Sequence, residues 1–248
     1  MSELPRGSVT LLFSDIEGST ALLKRLGPAY TEALDGHRDV LRAAWADHGG
    51  TELGTEGDSF FVAFGDPFDA VAAATQGQRD LAAHGWPAGD QVRVRMGIHT
   101  GTPAVHAGGY VGMDVHRAAR IAAAAHGGQI VISSLTAELV RGSLPDGVSL
   151  RDLGGHQLKD LPAPEHLYQV SVEGLLSTFP PLKSLGAASN LPRSATPLLG
   201  RKAELATLCE LLRSGTARLV TLTGPGGVGK TRLGTALAQQ LVARFPDG

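Results

Sequence analysis

The chain has one cysteine, Cys209, in 248 residues, so no internal disulfide can hold it together. That usage fits a reducing compartment. It also lacks a surplus of charge: 22 Lys and Arg face 24 Asp and Glu, a formal net charge of −2. No overall basic field argues for nucleic acid, and no direct nucleic-acid binding is expected. The opening MSELPRGSVT has no apolar stretch of the kind a signal peptide carries. No run of about 18 apolar residues occurs, so no membrane span or membrane partner is expected. A cytoplasmic protein is the resulting expectation. What the chain does have is 42 % hydrophobic residues, enough to bury a core in one large domain or two smaller ones.

Strands and helices mix from residue 8 to 172. Residues 8–15 read as a buried strand, followed by two segments of helical spacing. In the second, Ala33, His37, Val40, Leu41, Ala44 and Trp45 recur at three or four, and Gly49-Gly50 ends it. TELGTEGDSFFVAF reads as a hairpin turning at Glu56-Gly57-Asp58. A helix from Pro67, a strand in QVRVRMGIHTG, a helix in VGMDVHRAARIAAAAHGG, and strands in QIVISS and HLYQVSV complete a layered α+β domain. Residues 173–197, rich in Pro, Ser, Gly and Ala, read as a linker. The unit at 198–248 offers a helix, a strand ARLVTLTG, a glycine-rich loop and a helix. One βα unit cannot build a doubly wound sheet, so ATP hydrolysis by it is not expected.

Two acids invite chemistry. Asp15 ends the first strand and Asp58 sits at the hairpin turn. Carboxylates brought together at strand ends can hold Mg²⁺, which wants hard oxygen ligands and keeps positions open for phosphates. In the bland alternative, Asp15 caps the following helix and Asp58 is a turn residue. The loop GPGGVGKT, residues 224–231, fits a Walker A motif between a strand and a helix. There Gly224, Gly226, Gly227 and Gly229 would cradle phosphates, Lys230 would reach the outer oxygens, and Thr231 would ligate Mg²⁺. The alternative is a plain glycine turn. His99 reads as structural, Arg93 and Arg95 as a solvated pair on one strand face, and Asp66 and Asp69 as a helix start. On a helix, Asp114 and His116 point apart. His106, His126 and His156 form no metal pattern with Cys209.

Five segments in order carry a resemblance: FSDIEGST, EGDSFFVAF, VRMGIHTG, GYVGMDVHRAARI and LKDLPAPEHLYQV. Together they resemble a class III nucleotidyl cyclase catalytic domain over 1–172. The resemblance implies a ferredoxin-like βαββαβ core and a homodimer with its sites between subunits. It implies conversion of ATP or GTP to a 3′,5′-cyclic nucleotide and pyrophosphate with two Mg²⁺ or Mn²⁺ ions per site. Asp15, Asp58 and the Ile16 carbonyl match the metal ligands, Arg120 the arginine at the α-phosphate, and Lys159 the lysine on the terminal phosphates. Each site would take its acids from one chain and Arg120 and Lys159 from the other. Residues from NLPRSATPLLGRKAELATL through the glycine loop resemble the start of a STAND-type P-loop ATPase.

Three positions depart from the cyclase pattern. Gly54 stands where a purine-reading Lys is usual, Gly109 where its acidic partner is usual, and His116 where the family has a transition-state Asn. Imidazole can donate a hydrogen bond as the Asn does, or His116 can be a packed histidine. A rival reading therefore makes the domain a degenerate dimerising or nucleotide-sensing module that regulates a C-terminal ATPase. A metal-dependent nuclease or polymerase on a similar palm would need a basic channel, which the composition does not offer.

Overall fold

The computed structural model describes residues 4–106, 108–184, 200–214, 217 and 219–241. They fall into two compact units, Met1–Leu185 and Gly186–Gly248. The first begins with β1 (Val9–Ile16), α1 (Ser19–Leu26), α2 (Tyr30–Asp47), β2 (Thr51–Glu56), β3 (Ser59–Phe64), α3 (Pro67–Ala83) and β4 (Val94–Gly101). These strands lie in the order β2-β3-β1-β4, each pair antiparallel, which is the expected ferredoxin-like core. Next come β5 (Ala104–His106), β6 (Gly109–Val111), α4 (Met113–Ala124), β7 (Ile130–Ser133), α5 (Ser134–Val140), β8 (Val148–His156) and β9 (Glu165–Val172). β7 joins β4 in parallel, and β9 and β8 extend the sheet antiparallel to seven strands.

The centre of the sheet is buried on both faces, and β1 shows how. Its alternate residues Leu12 and Ile16 enter the main core with Leu41, Trp45, Val71 and Ala74 of α2 and α3. Val9 and Leu11 point the other way, to Ala118 of α4 and Tyr110. α4 lies very close to the sheet. A Cβ on Gly97 of β4 would come within 2.1 Å of the Ala122 backbone nitrogen. Asp66 caps α3 by accepting from the Phe68 N–H at 2.8 Å, as its place in the sequence suggests.

Five features differ from the sequence reading. The β5–β6 hairpin, α5 and β8 are additional elements. In the second unit, described residues 217 and 219–224 form no strand. A strand needs a hydrogen-bonded neighbour, and this unit has no other strand among its described residues. Its helices are α6 (Lys202–Arg213) and α7 (Lys230–Leu241), joined through Cys209, Leu237 and Leu241. Residues 173–184, read as linker on composition, pack on the first unit: Leu182 is buried with Ile121, Ala124 and Leu158. Among the described residues, no helix is long and apolar enough to cross a membrane.

Candidate active site

β1 delivers Asp15 to the end of the sheet, and the chain then turns through Gly18, whose φ of 69° suits glycine. Gly18 is the N-cap of α1 and no side chain caps that helix, so Asp15 is not a capping residue. The β2–β3 turn brings Asp58 to the same place. Gly57 supplies a φ of 60°, and Arg38 of α2 donates to the Gly57 carbonyl at 2.6 Å, which fixes the turn. Asp58 Oδ2 is buried with no hydrogen-bond partner. Burial and the adjacent Asp15 carboxyl push Asp58 above the ordinary carboxylate value, while its own backbone N–H and Ser19 pull it down. Two neighbouring carboxylates, one with an orphaned oxygen, form a donor set that suits a hard divalent cation. Among the described residues no cluster of three or more His, Cys, Asp or Glu could hold a metal. An ion here would therefore lean on two carboxylates, a backbone carbonyl such as that of Ile16, and oxygens brought by a substrate.

Arg95 is not solvated as expected. It sits opposite Asp15 in the β1–β4 register. Its Nε donates to Asp15 Oδ2 at 3.1 Å, its Nη2 donates to the same oxygen, and Nη1 donates to the Ala123 carbonyl at 3.2 Å. Arg95 thus links the first acid to the C-terminal end of α4. Arg93 does stay at the surface, bonded to Gln91.

The second cluster lies on α4 and the turn before β9. His116 and Arg120 are four residues apart on α4 and share a face. His116 is exposed. Arg120 Nη2 donates to Asp160 Oδ2 at 2.5 Å, which brings the Lys159 turn to the helix. Lys159 is exposed, and Asp160 has a φ of 62° in that turn. α4 is held by its other residues. Arg117 bridges Asp114 and Glu165 at 2.8 and 2.7 Å, and Asp114 also accepts from the Thr102 N–H at 3.0 Å. His99 is structural, as read: it is buried, donates to Asp114 from Nε2 at 3.2 Å and accepts from Ser133 at Nδ1 at 2.8 Å. Burial pushes its pKa down despite the Asp114 carboxylate. Sequence reasoning missed Arg95, Asp160 and the Asp114–Arg117–Glu165 chain. Their only signal is cross-strand register or a contact some 40 residues apart, as for Arg120 and Asp160.

Neither glycine at the departing positions is required by shape. A Cβ on Gly54 would meet nothing within 4 Å, and one on Gly109 only the His106 carbonyl at 3.9 Å. In the second unit, Gly224, Gly227 and Gly229 adopt φ of 147°, 79° and 82°, and α7 starts at Lys230. Lys230 Nζ donates to the carbonyls of Gly224 and Pro225 at 2.9 and 2.7 Å, so its ammonium closes the loop on itself. Gly226 and Thr231 are exposed at this loop.

Residues 1–171 match the family described as adenylate and guanylate cyclase catalytic domain. Residues 197–247 match the AAA ATPase domain family. An uncharacterized protein of Mycobacterium tuberculosis is 38 % identical over 205 residues, covering 81 % of this chain and 70 % of that protein. An adenylate cyclase of Lachancea kluyveri is 34 % identical over 155 residues, covering 52 % of this chain but only 8 % of that much longer protein. Among solved structures, an adenylate cyclase from Trypanosoma brucei in its monomeric state has a TM-score of 0.66 at 26 % identity, covering 75 % of this chain and 98 % of that one. An adenylyl cyclase from P. aeruginosa has a TM-score of 0.56 at 27 % identity, covering 71 % of this chain and 100 % of that one.

Proposed function

The chain belongs, through residues 1–171, to the class III adenylate and guanylate cyclase family, and from that premise we propose that it is a nucleotidyl cyclase. Its substrate would be ATP, with GTP the alternative, and its products a 3′,5′-cyclic nucleotide and pyrophosphate. The observation that carries this reading is the meeting of Asp15 and Asp58, with Asp58 Oδ2 buried and unpartnered. Asp15, Asp58 and the Ile16 carbonyl would hold two Mg²⁺ or Mn²⁺ ions, which when bound supply Lewis acidity toward the 3′-hydroxyl and charge neutralisation for the triphosphate.

The remaining work falls to side chains. In the reaction the 3′-hydroxyl gives its proton to water and its oxygen bonds to the α-phosphorus, while the bond from that phosphorus to the α–β bridging oxygen breaks and pyrophosphate leaves with that electron pair. Arg120 exchanges Asp160 for an α-phosphate oxygen and stabilises charge that grows there. Lys159, exposed beside Asp160, takes the terminal phosphates. His116, one turn before Arg120, donates to a ribose or phosphate oxygen in place of an amide. Arg95 holds Asp15 in the resting site and yields Oδ2 on loading. Two chains would form a symmetric pair, each site taking acids from one and Arg120 with Lys159 from the other.

A second reading is favoured by Gly54 and Gly109. With no side chain at either position, and no close contact that forbids one, nothing there hydrogen-bonds a purine edge. The domain would then bind nucleotide or dimerise without turnover. It would act on the AAA-like unit, whose loop at Gly224, Gly226, Gly227, Gly229, Lys230 and Thr231 would bind a nucleotide's phosphates.

The test is direct. The full chain is incubated with Mn²⁺ and ATP or GTP, and cyclic nucleotide is quantified by mass spectrometry beside Asp58→Ala. Product from the wild type that falls by at least about 100-fold in the variant is expected. Equal product from both sinks the mechanism, and no product from a folded wild type selects the second reading.

A further inference from the structure

The segment that leads out of the cyclase domain touches the turn that follows Asp15. Ser177 offers its carbonyl to Gln169 at 2.8 Å, and the Pro181 carbonyl accepts from His126 Nε2 at 3.0 Å. Leu182 and Ser184 are buried, and His156 Nδ1 bonds the Ser184 hydroxyl at 3.1 Å. Between them, the Lys183 N–H donates to the Ala124 carbonyl at 2.8 Å, beside the Ala123 carbonyl that anchors Arg95. The root of the Lys183 side chain is therefore fixed on both sides.

Its ammonium donates to Glu17 Oε1. Glu17 lies two residues after Asp15. Its other oxygen accepts from the Gly127 N–H at 3.0 Å, its own N–H donates to the Arg93 carbonyl at 2.9 Å, and His126 Nδ1 lies 3.7 Å from Oε1. Most surface lysine pairs contribute little because the long side chain must be ordered to make them. Here the backbone of Lys183 is already ordered, and the carboxylate it meets is tied at a second point.

We propose that Lys183 is a positioning residue for the metal-binding loop: its pairing with Glu17 holds the turn after Asp15, so the exit segment sets the site's affinity for its divalent cation. The proposal rests on the cyclase reading in that Asp15 and Asp58 are the ligands concerned. The sign of the effect separates it from simple electrostatics. Loss of a positive charge alone would tighten cation binding, whereas loss of positioning weakens it.

The experiment uses the full chain and needs no turnover. Mn²⁺ binding is measured by calorimetry, and deuterium uptake is followed in the peptide covering residues 13–22. Lys183→Ala is expected to weaken Mn²⁺ binding about three-fold and to speed exchange in that peptide, and Lys183→Arg to restore both. Tighter or unchanged binding, or unchanged exchange, overturns the proposal. Asp58→Ala serves as the control for the reading beneath it. If that variant binds Mn²⁺ as the wild type does, the metal site has been misassigned, and the failure is visible without reference to Lys183.

Discussion

At the scale of a residue, His37 shows what burial does to an ionisable group. It is fully buried on α2, 5.7 Å from the Phe60 ring, with both ring nitrogens unpartnered. Burial first, then the charges of Arg38 and Arg42 against that of Asp15, pushes its pKa down to about 4. The unfolded chain binds this proton near the ordinary value of 6.5, so between there and about 4 the unfolded state holds more protons. Stability is complete above pH 6.5 or so and falls as pH drops toward 4, by up to roughly 3 kcal/mol from this group. His37→Leu should remove that part of the acid loss while leaving the melting temperature at pH 7.5 equal or higher. Thermal melts from pH 7.5 to 4.5 check it, and an unchanged slope would refute it. His37 was legible in the sequence as a core position, since it recurs with Ala33, Leu41, Ala44 and Trp45. Asp15 and Asp58 were legible as candidates from strand ends and a turn. The Arg95–Asp15 contact was not, because parity puts Arg93 and Arg95 on one face without saying which strand lies alongside.

At the scale of an element, α4 carries the second half of the proposed site. It carries His116 and Arg120 and is pinned by Asp114, Arg117 and the absence of a side chain at Gly97. A methyl at Gly97 would press on the backbone nitrogen of Ala122, which no rotamer change can relieve. Gly97→Ala should therefore destabilise the domain by roughly 1–3 kcal/mol or tilt the helix. The expected result is a lower melting temperature, together with loss of the proposed cyclase activity at temperatures where the variant is folded. Wild-type behaviour in both would contradict so close a packing. Long elements such as α2 and α3 were readable because three or more turns repeat the pattern. α5 has seven residues and β5 and β6 three each, too few to show a period. β8 was hidden by its bulge, where the register shifts between Asp152 and Gly154 and the alternation breaks. The strand expected before the glycine loop had the right composition but has no partner among the described residues, and pairing is not a local property.

At the scale of the whole molecule, the proposed sharing of each site between two chains has a numerical consequence. Asp58→Ala and Arg120→Ala should each be inactive alone. Mixed under conditions of subunit exchange, half of the dimers are heterodimers, each with one intact site of two. Activity should then return to roughly a quarter of wild type. No recovery, with exchange verified by a tag, would place all four groups in one chain. The order β2-β3-β1-β4 was implied by the resemblance, whereas the β7, β9 and β8 extension rests on pairings between residues far apart in the chain. One feature of the resting site bears on what it admits. Arg95 is held by Asp15 and Arg120 by Asp160, so each guanidinium already has a counter-ion. Entry of an anion would thus be an ion exchange rather than an addition. Orthophosphate would displace a carboxylate from its arginine and bring no cation to take that carboxylate over. A triphosphate arriving with divalent cations would supply partners for both arginines and both acids together. The proposed site, self-neutralised in this way, would therefore select by valence before any base or sugar is read.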